Sequence, residues 1–297
     1  MRLLVSASFV EPLDTSHETF EYSKIGSAIR RISLHIMKRV RPFRKEIYFI
    51  QQFESRGDRL ARSMDFLSTI RNIHKGERIF IIANGPSLDY RDLEKITNEV
   101  SIASNFIHLA YEHTTWRPNY VTVSDTKVWA KMTPEIQKQS RNLILLDRLD
   151  SRRAVVEHSS VRQRSPGDAR NRQFPFSDNL CWGAFGGHTV TYFNLQLAHH
   201  LGAGSIVLLG LDHSYEESKS SSKTTVVNQQ KNHFHPDYRQ PGEVVFKAPI
   251  EQMANYYRIA LSVSEKKGVR ILNVTPDTNL SIFPVTSLSN VLNAGIG

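Results

Sequence analysis

The sequence predicts an α/β protein with a mostly parallel sheet covered by helices on both faces. Two observations predict it. From residue 76 onward, short apolar runs alternate with segments of helical period, and the runs are rich in Ile, Val and Leu rather than alternating apolar with polar. Strands buried on both faces need continuous apolar runs, and parallel neighbours need a crossover between them, usually a helix.

The elements follow in order. A first strand is read over Arg78–Ala83, a loop over Asn84–Ser87, and a helix over Tyr90–Ile96 opening at Asp89, a residue type that caps helix N-termini. Further strands fit Val100–Ser104, Tyr120–Val123 and Leu143–Leu146. A polar, Arg-rich stretch occupies 151–172. Thr189–Leu201 then reads as a helix closed by Gly202, and it delivers the chain to a strand at Ser205–Leu209. A long polar loop, 213–245, reads as a mobile lid and includes the serine-rich piece Ser218–Lys223. A helix around Ile250–Lys267 stops at Gly268 before a last strand at Arg270–Val274. No internal repeat interrupts the series.

The 297 residues suit one large domain with a smaller piece attached: a basic helical extension over 1–75 and the α/β domain over 76–297. With 40% hydrophobic and 23% charged residues, the composition excludes a wholly disordered, collagenous or coiled-coil chain. The balance of 38 Lys+Arg against 29 Asp+Glu gives a net charge of +9. Much of the excess sits in 24–45. There Ile25, Ile29, Ile32, Ile36 and Val40 recur at helical spacing beside Arg30, Arg31, Lys38, Arg39, Arg41, Arg44 and Lys45.

Such a helix can lie on an anionic membrane surface, where each basic residue contributes about 1 kcal/mol, or it can pack on the main domain with its charges solvated. No nucleic-acid-reading motif accompanies the charge. The apolar runs fall far short of the roughly 20 residues that cross a bilayer. The single cysteine, Cys181, cannot form an intramolecular disulfide, and no Cys/His spacing suggests structural zinc. The expectation is a cytoplasmic protein, peripheral at the inner face of the cell membrane if the 24–45 helix takes the lipid.

Ligands of open α/β sheets sit beyond the carboxyl ends of the strands, so the residues there carry the functional reading. Asn84-Gly85-Pro86-Ser87 follows the first strand. Gly85 permits close backbone approach and Asn84 offers both a donor and an acceptor, although a plain turn capped by Ser87 explains the loop equally. Asn105 follows the second strand and Ser124-Asp125 the third, while Asp212 and Tyr215 follow the strand at 205–209. The turn Gly186-Gly187-His188 opens a helix through Thr189 and Thr191, where free backbone N–H groups suit an anion. The loop Asn232–Tyr238 holds His233 and His235. Imidazole titrates near working pH, so either could deprotonate a hydroxyl; a metal pair or plain surface histidines are the competing readings. His199 and His200 read as structural.

The segments IFIIANGPSLDYRDLEK, SIASNFIHL, YVTVSDTK, GGHTVTYFNLQLAHHLGAGSIVLLGLDHSY and NHFHPDY together resemble the 6-hydroxymethylpterin diphosphokinase-like proteins (domain of unknown function 115). They also resemble the related bacterial sialyltransferases of glycosyltransferase family 42. The resemblance covers about residues 76–285. The sialyltransferase side implies a Rossmann-like domain of the GT-A-like variant. It implies transfer, without metal or other cofactor, of a nonulosonic-acid-type sugar (sialic acid-like or Kdo-like) from a CMP-activated donor to a cell-envelope glycan.

Donor contacts then carry over to Asn84 with Gly85, Pro86 and Ser87, to Asn105, and to Ser124 or Asp125. The helix entry carries over to Thr189 and Thr191 behind Gly187. A phosphate-binding tyrosine carries over to Tyr215, just past Asp212, and the general base to His233 or His235. The Thr-Ser-Gly of that family falls near Thr189-Val190-Thr191 here, without its central serine. The pterin side implies diphosphate transfer from ATP with Mg²⁺, which needs acidic ligands, and only Asp125 and Asp212 occupy edge positions. A glycosyltransferase is therefore the expectation, with the Mg²⁺-dependent kinase and a non-catalytic glycan-assembly protein as alternatives. A homo-oligomer is compatible with all three.

Overall fold

The computed structural model describes residues 62–146, 149, 154, 158–164, 174–214, 224–227 and 231–294. The basic helix read over 24–45, the serine-rich piece 218–223 and Tyr215 lie outside them.

Eleven strands are formed by the described residues: β1 (Arg78–Ile82), β2 (Val100–Ser104), β3 (Tyr120–Val123), β4 (Leu143–Leu146), β5 (His158–Val161), β6 (Gln163–Arg164), β7 (Ala184–Phe185), β8 (Ser205–Leu209), β9 (Thr224–Val226), β10 (Val244–Phe246) and β11 (Arg270–Asn273). Seven make the central sheet, in the order β11-β8-β1-β2-β3-β4-β5. Every neighbouring pair in it is parallel. The chain therefore steps outward from β1 to β5, returns to the other side of β1 as β8, and ends outside it as β11. That reversal places a topological switch point between β1 and β8, the position where such sheets open a crevice.

The helices are α1 (Tyr90–Lys95), α2 (Thr126–Lys131), α3 (Pro134–Lys138), α4 (Val190–Leu201), α5 (Ile250–Lys266) and α6 (Leu288–Asn293). Side chains alternate across a strand, and β1 divides accordingly. Ile79 and Ile81 join Phe193 and Leu197 of α4 and Met253 and Tyr257 of α5 in one core. Phe80 and Ile82 join Leu93 of α1, Val128 and Trp129 of α2 and Val291 of α6 in the other. Each fully buried side chain of this size contributes about 1.5–3 kcal/mol, so covering both faces is what makes the all-apolar runs of the sequence stable as strands. The stretch 62–70 is helical and adds Leu67 and Ile70 to the first core, although composition groups it with the extension.

Local chemistry sets the helix ends. Asp89 caps α1 by accepting from the Arg91 N–H at 2.8 Å, Asp125 caps α2 through the Lys127 N–H at 2.7 Å, and Thr189 caps α4 through Thr191. Gly202, at φ 89°, ends α4 in the left-handed conformation that glycine reaches without strain. His199 and His200 are buried: His199 pairs with the Ser264 hydroxyl at 2.7 Å, and His200 donates from Nε2 to the Leu67 carbonyl at 2.7 Å while accepting the Leu180 N–H at Nδ1.

Within the polar stretch 151–172 lies β5, whose sequence His158-Ser159-Ser160-Val161 lacks an apolar run because it is the sheet's edge and pairs only with β4. The loop 213–245 contains the antiparallel pair β9–β10. That pair is tied to α2, since Lys127 donates to the Val244 carbonyl at 2.6 Å and Lys131 pairs with Glu243 at 2.7 Å. No helix among the described residues is long and apolar enough to cross a membrane.

Candidate functional site

The strand ends on either side of the switch point nearly touch. The Gly85 N–H donates to the Gly210 carbonyl at 2.9 Å. A Cβ on Gly85 would stand 1.8 Å from Asp212 Oδ2 and 2.6 Å from the Gly210 oxygen, so only glycine fits. Asp212 is held by Ser87, whose backbone N–H and hydroxyl donate to its two oxygens at 3.2 and 2.9 Å. Burial pushes its carboxyl up from the ordinary carboxylate range. One strand over, Asn84 Nδ2 donates to the Ser104 carbonyl and hydroxyl at 3.3 and 3.2 Å. Asn84 Oδ1 is buried and has no hydrogen-bond partner.

Above these ends lies a cavity of about 760 Å³, of the size that small-molecule ligands occupy. It gathers Asn84, Gly85, Asn105, Ser124, Asp125, Gly187, Thr189, Thr191, Asp212 and His233 from the residues read in the sequence. Asn105 is at φ 58°, a left-handed conformation that asparagine tolerates better than most residues. Pro86 and Ser87 stand behind the wall, Ser87 acting through Asp212.

The two loop histidines part company. The Phe234 N–H donates to the Asn84 carbonyl at 3.1 Å, which pins the loop over the end of β1. His233 then faces the cavity, stacked on Tyr238 at 3.9 Å with the rings 9° apart. Burial pushes its imidazole down to about 3, with the Arg239 charge acting in the same direction, so it is neutral at pH 7. His235 does not line the cavity. Its Nδ1 accepts the Asp237 N–H at 3.1 Å and caps the turn Pro236–Tyr238, and its ring lies toward His113.

Gln163, Arg164, Phe246, Lys247 and Tyr256 also line the cavity and escape the sequence reading, while His188 lines it from the Gly186-Gly187-His188 turn. Gln163 and Arg164 follow β5, an edge strand with no apolar run to mark it, and Phe246, Lys247 and Tyr256 follow no strand of the central sheet, so a rule about strand ends applied to apolar runs does not find them. The Arg-rich composition of 151–172 was the available signal for Arg164. The pairing of β6 with β7 sets Arg164 beside Phe185 and directly before the Gly186-Gly187 turn. Gly187, at φ 57°, lies so close to Tyr192 that a Cβ would stand 2.3 Å from the ring.

The donor set does not fit a divalent metal held by the protein alone. Asp125 is engaged in capping α2 and Asp212 in holding Ser87, and among the described residues no three His, Cys, Asp or Glu side chains come together.

Sheet order, switch point and crevice define a Rossmann-like α/β protein with a cavity at the strand ends. The chain belongs to the 6-hydroxymethylpterin diphosphokinase MptE-like family, whose model matches residues 58–218, more than half its length. Among solved structures, the MAf glycosyltransferase from Magnetospirillum magneticum AMB-1 is similar with a TM-score of 0.46 and 15% identity, over 77% of this chain and 38% of that one. A short-chain dehydrogenase from Oenococcus oeni PSU-1 gives a TM-score of 0.21 and 10% identity, over 74% of this chain and 87% of the other. No curated protein sequence matches.

Proposed function

We propose that the protein is a metal-independent glycosyltransferase that moves a nonulosonic-acid-type sugar from a CMP-activated donor to a cell-envelope glycan. The observation that carries this reading is the cavity at the switch point, whose lining includes the amides and hydroxyls of Asn84, Asn105, Ser124, Thr189 and Thr191, with the buried Asn84 Oδ1 lacking a partner. An unmet buried acceptor costs about 1–3 kcal/mol, and a ribose hydroxyl or base amino group would satisfy it. Asn105 and Ser124 extend the same rim along the next strands, and Thr189 and Thr191 stand at the entry of α4. A nucleotide monophosphate is already a good leaving group, so hydrogen bonds and fixed charges suffice to stabilise its departure.

His233 is the residue we assign as general base. Unliganded, its imidazole is too weakly basic for the task. An anionic donor beside it would favour the imidazolium and raise its pKa toward the working range. Phe246, exposed at the cavity mouth with Lys127 against one face, offers a ring on which the acceptor sugar would rest.

The family's description favours a second reading, diphosphate transfer from ATP with Mg²⁺. Thermal denaturation with CMP, CDP, UDP, GDP and ATP, each with and without Mg²⁺, separates the two. At 100 times Kd a ligand of the native state adds about 2.7 kcal/mol, about 5–10 °C for a domain of this size. Stabilisation by cytidine nucleotides in EDTA is the expected result. Stabilisation by ATP alone, and only with Mg²⁺, would replace the transferase reading with the kinase.

A further inference from the structure

We infer that Arg164 and Lys247 form an anion subsite that grips the phosphate of the bound nucleotide, doing from the protein what a divalent ion does in metal-dependent transferases. The inference deepens the transferase reading and rests on it.

The two carboxylates of the cavity, Asp125 and Asp212, stand on the strand ends. The two cations are Arg164, on β6 three residues past the end of β5, and Lys247, the residue just after β10. Arg164 is also placed by the backbone. Its β-bridge partner is Phe185, over whose ring its guanidinium lies at 4.7 Å. The next two residues, Gly186 and Gly187, line the same wall. A guanidinium braced against an aromatic face loses less freedom on meeting a ligand than one on a free stem, and it presents a planar fork that matches a phosphate. Lys247 adds a point charge to the same cavity lining, where the distal phosphate of a diphosphate would meet it.

Hence the ligand's neutral part, base and ribose, should lie over Asn84 and Asn105, and its phosphate toward Arg164. The recognised class is a nucleoside phosphate rather than a free sugar or nucleoside.

Calorimetry with cytidine, CMP and CDP in EDTA, and with ATP in Mg²⁺, tests this on wild type, Arg164→Ala, Arg164→Lys and Lys247→Ala. Charge-assisted hydrogen bonds of this kind correspond to about a 10- to 100-fold change in affinity. Wild type should bind CMP at least tenfold tighter than cytidine. Arg164→Ala should erase most of that preference while leaving cytidine affinity within threefold, and Arg164→Lys should keep part of it. Lys247→Ala should weaken CDP more than CMP. Equal CMP and CDP affinities in wild type and both alanine variants would overturn the subsite and leave the transferase reading standing. If wild type bound only ATP with Mg²⁺, the transferase reading would fall. The subsite would then survive in altered form if Arg164→Ala weakened ATP at least tenfold, and would fall as well if it did not.

Discussion

Replacing Gly85 with alanine probes the crevice between β1 and β8 with a single methyl group. That methyl would arrive 1.8 Å from Asp212 Oδ2, 2.7 Å from its Cγ and 2.6 Å from the Gly210 carbonyl oxygen. The carboxylate must therefore swing away and release both hydrogen bonds from Ser87, of which those to a charged acceptor are worth about 1.5–3 kcal/mol each. The Gly210 oxygen belongs to the backbone and cannot rotate aside, so β1 and β8 must also part locally, an overpacking cost of about 1–3 kcal/mol. With partial relaxation the sum is about 3–5 kcal/mol, a large share of the 5–15 kcal/mol that holds a typical domain together.

Urea unfolding followed by circular dichroism reads this directly. At a slope of about 3 kcal/mol/M the midpoint should fall by about 1 M or more. The companion Gly85→Ala/Asp212→Ala removes the contacts at 1.8 and 2.7 Å but keeps the one at 2.6 Å, so the two substitutions should be non-additive, the pair costing less than the sum of the singles. A midpoint for Gly85→Ala within about 0.2 M of wild type would refute the close approach of these strand ends.

Acid should destabilise the fold through its buried histidines. Burial lowers His108, His199 and His200 to about 4 and His233 to about 3, all below the ordinary 6.5. Because the unfolded chain takes up protons that the folded one refuses, their contribution is complete above pH 6.5 and is lost as pH falls from there toward 4. Denaturation midpoints measured between pH 7.5 and 4.5 should drop steeply below 6.5, and a flat profile would contradict the burial of these rings. In activity, His233→Ala should lower turnover about 10²-fold or more with CMP affinity retained, whereas His235→Ala, which removes the cap on the Asp237 N–H at a position outside the cavity lining, should stay within a few fold. Equal rates for His233→Ala and wild type would remove His233 from the chemistry.

The centre of the sheet was legible because β1, β4 and β8 carry apolar runs of four residues and β2 and β3 are short, apolar-rich segments broken only by Ser or Thr, and their observed bounds depart from the expected ones by at most one residue. Caps at Asp89, Thr189 and Gly202 were legible because each follows from side-chain or backbone chemistry local to the turn. β5 was not, since an edge strand with one partner tolerates His158-Ser159-Ser160. Helices α2, α3 and α6 are five or six residues long, too short to show a period. At the site, the strand-end rule reached Asn84, Asn105, Ser124 and Asp212. It missed Arg164 because β5, the strand before it, has no apolar run to read, and Lys247 because it follows β10, which is outside the central sheet. Nor could it separate His233 from His235, two residues apart on one loop, because that choice depends on which ring the Phe234–Asn84 hydrogen bond turns inward.

The return journey from the outer strand β5 to β8 has a consequence of its own. Because the polypeptide must travel back over the middle of the sheet to reach its place beside β1, it builds the wall bearing Arg164, Gly187 and Thr189 in passing. Leu180, Ala184, Phe185 and the buried residues of α4 lie on the same span, so its length is tied to the first core, and only its cavity-facing positions, Arg164 among them, can be recharged without touching that packing.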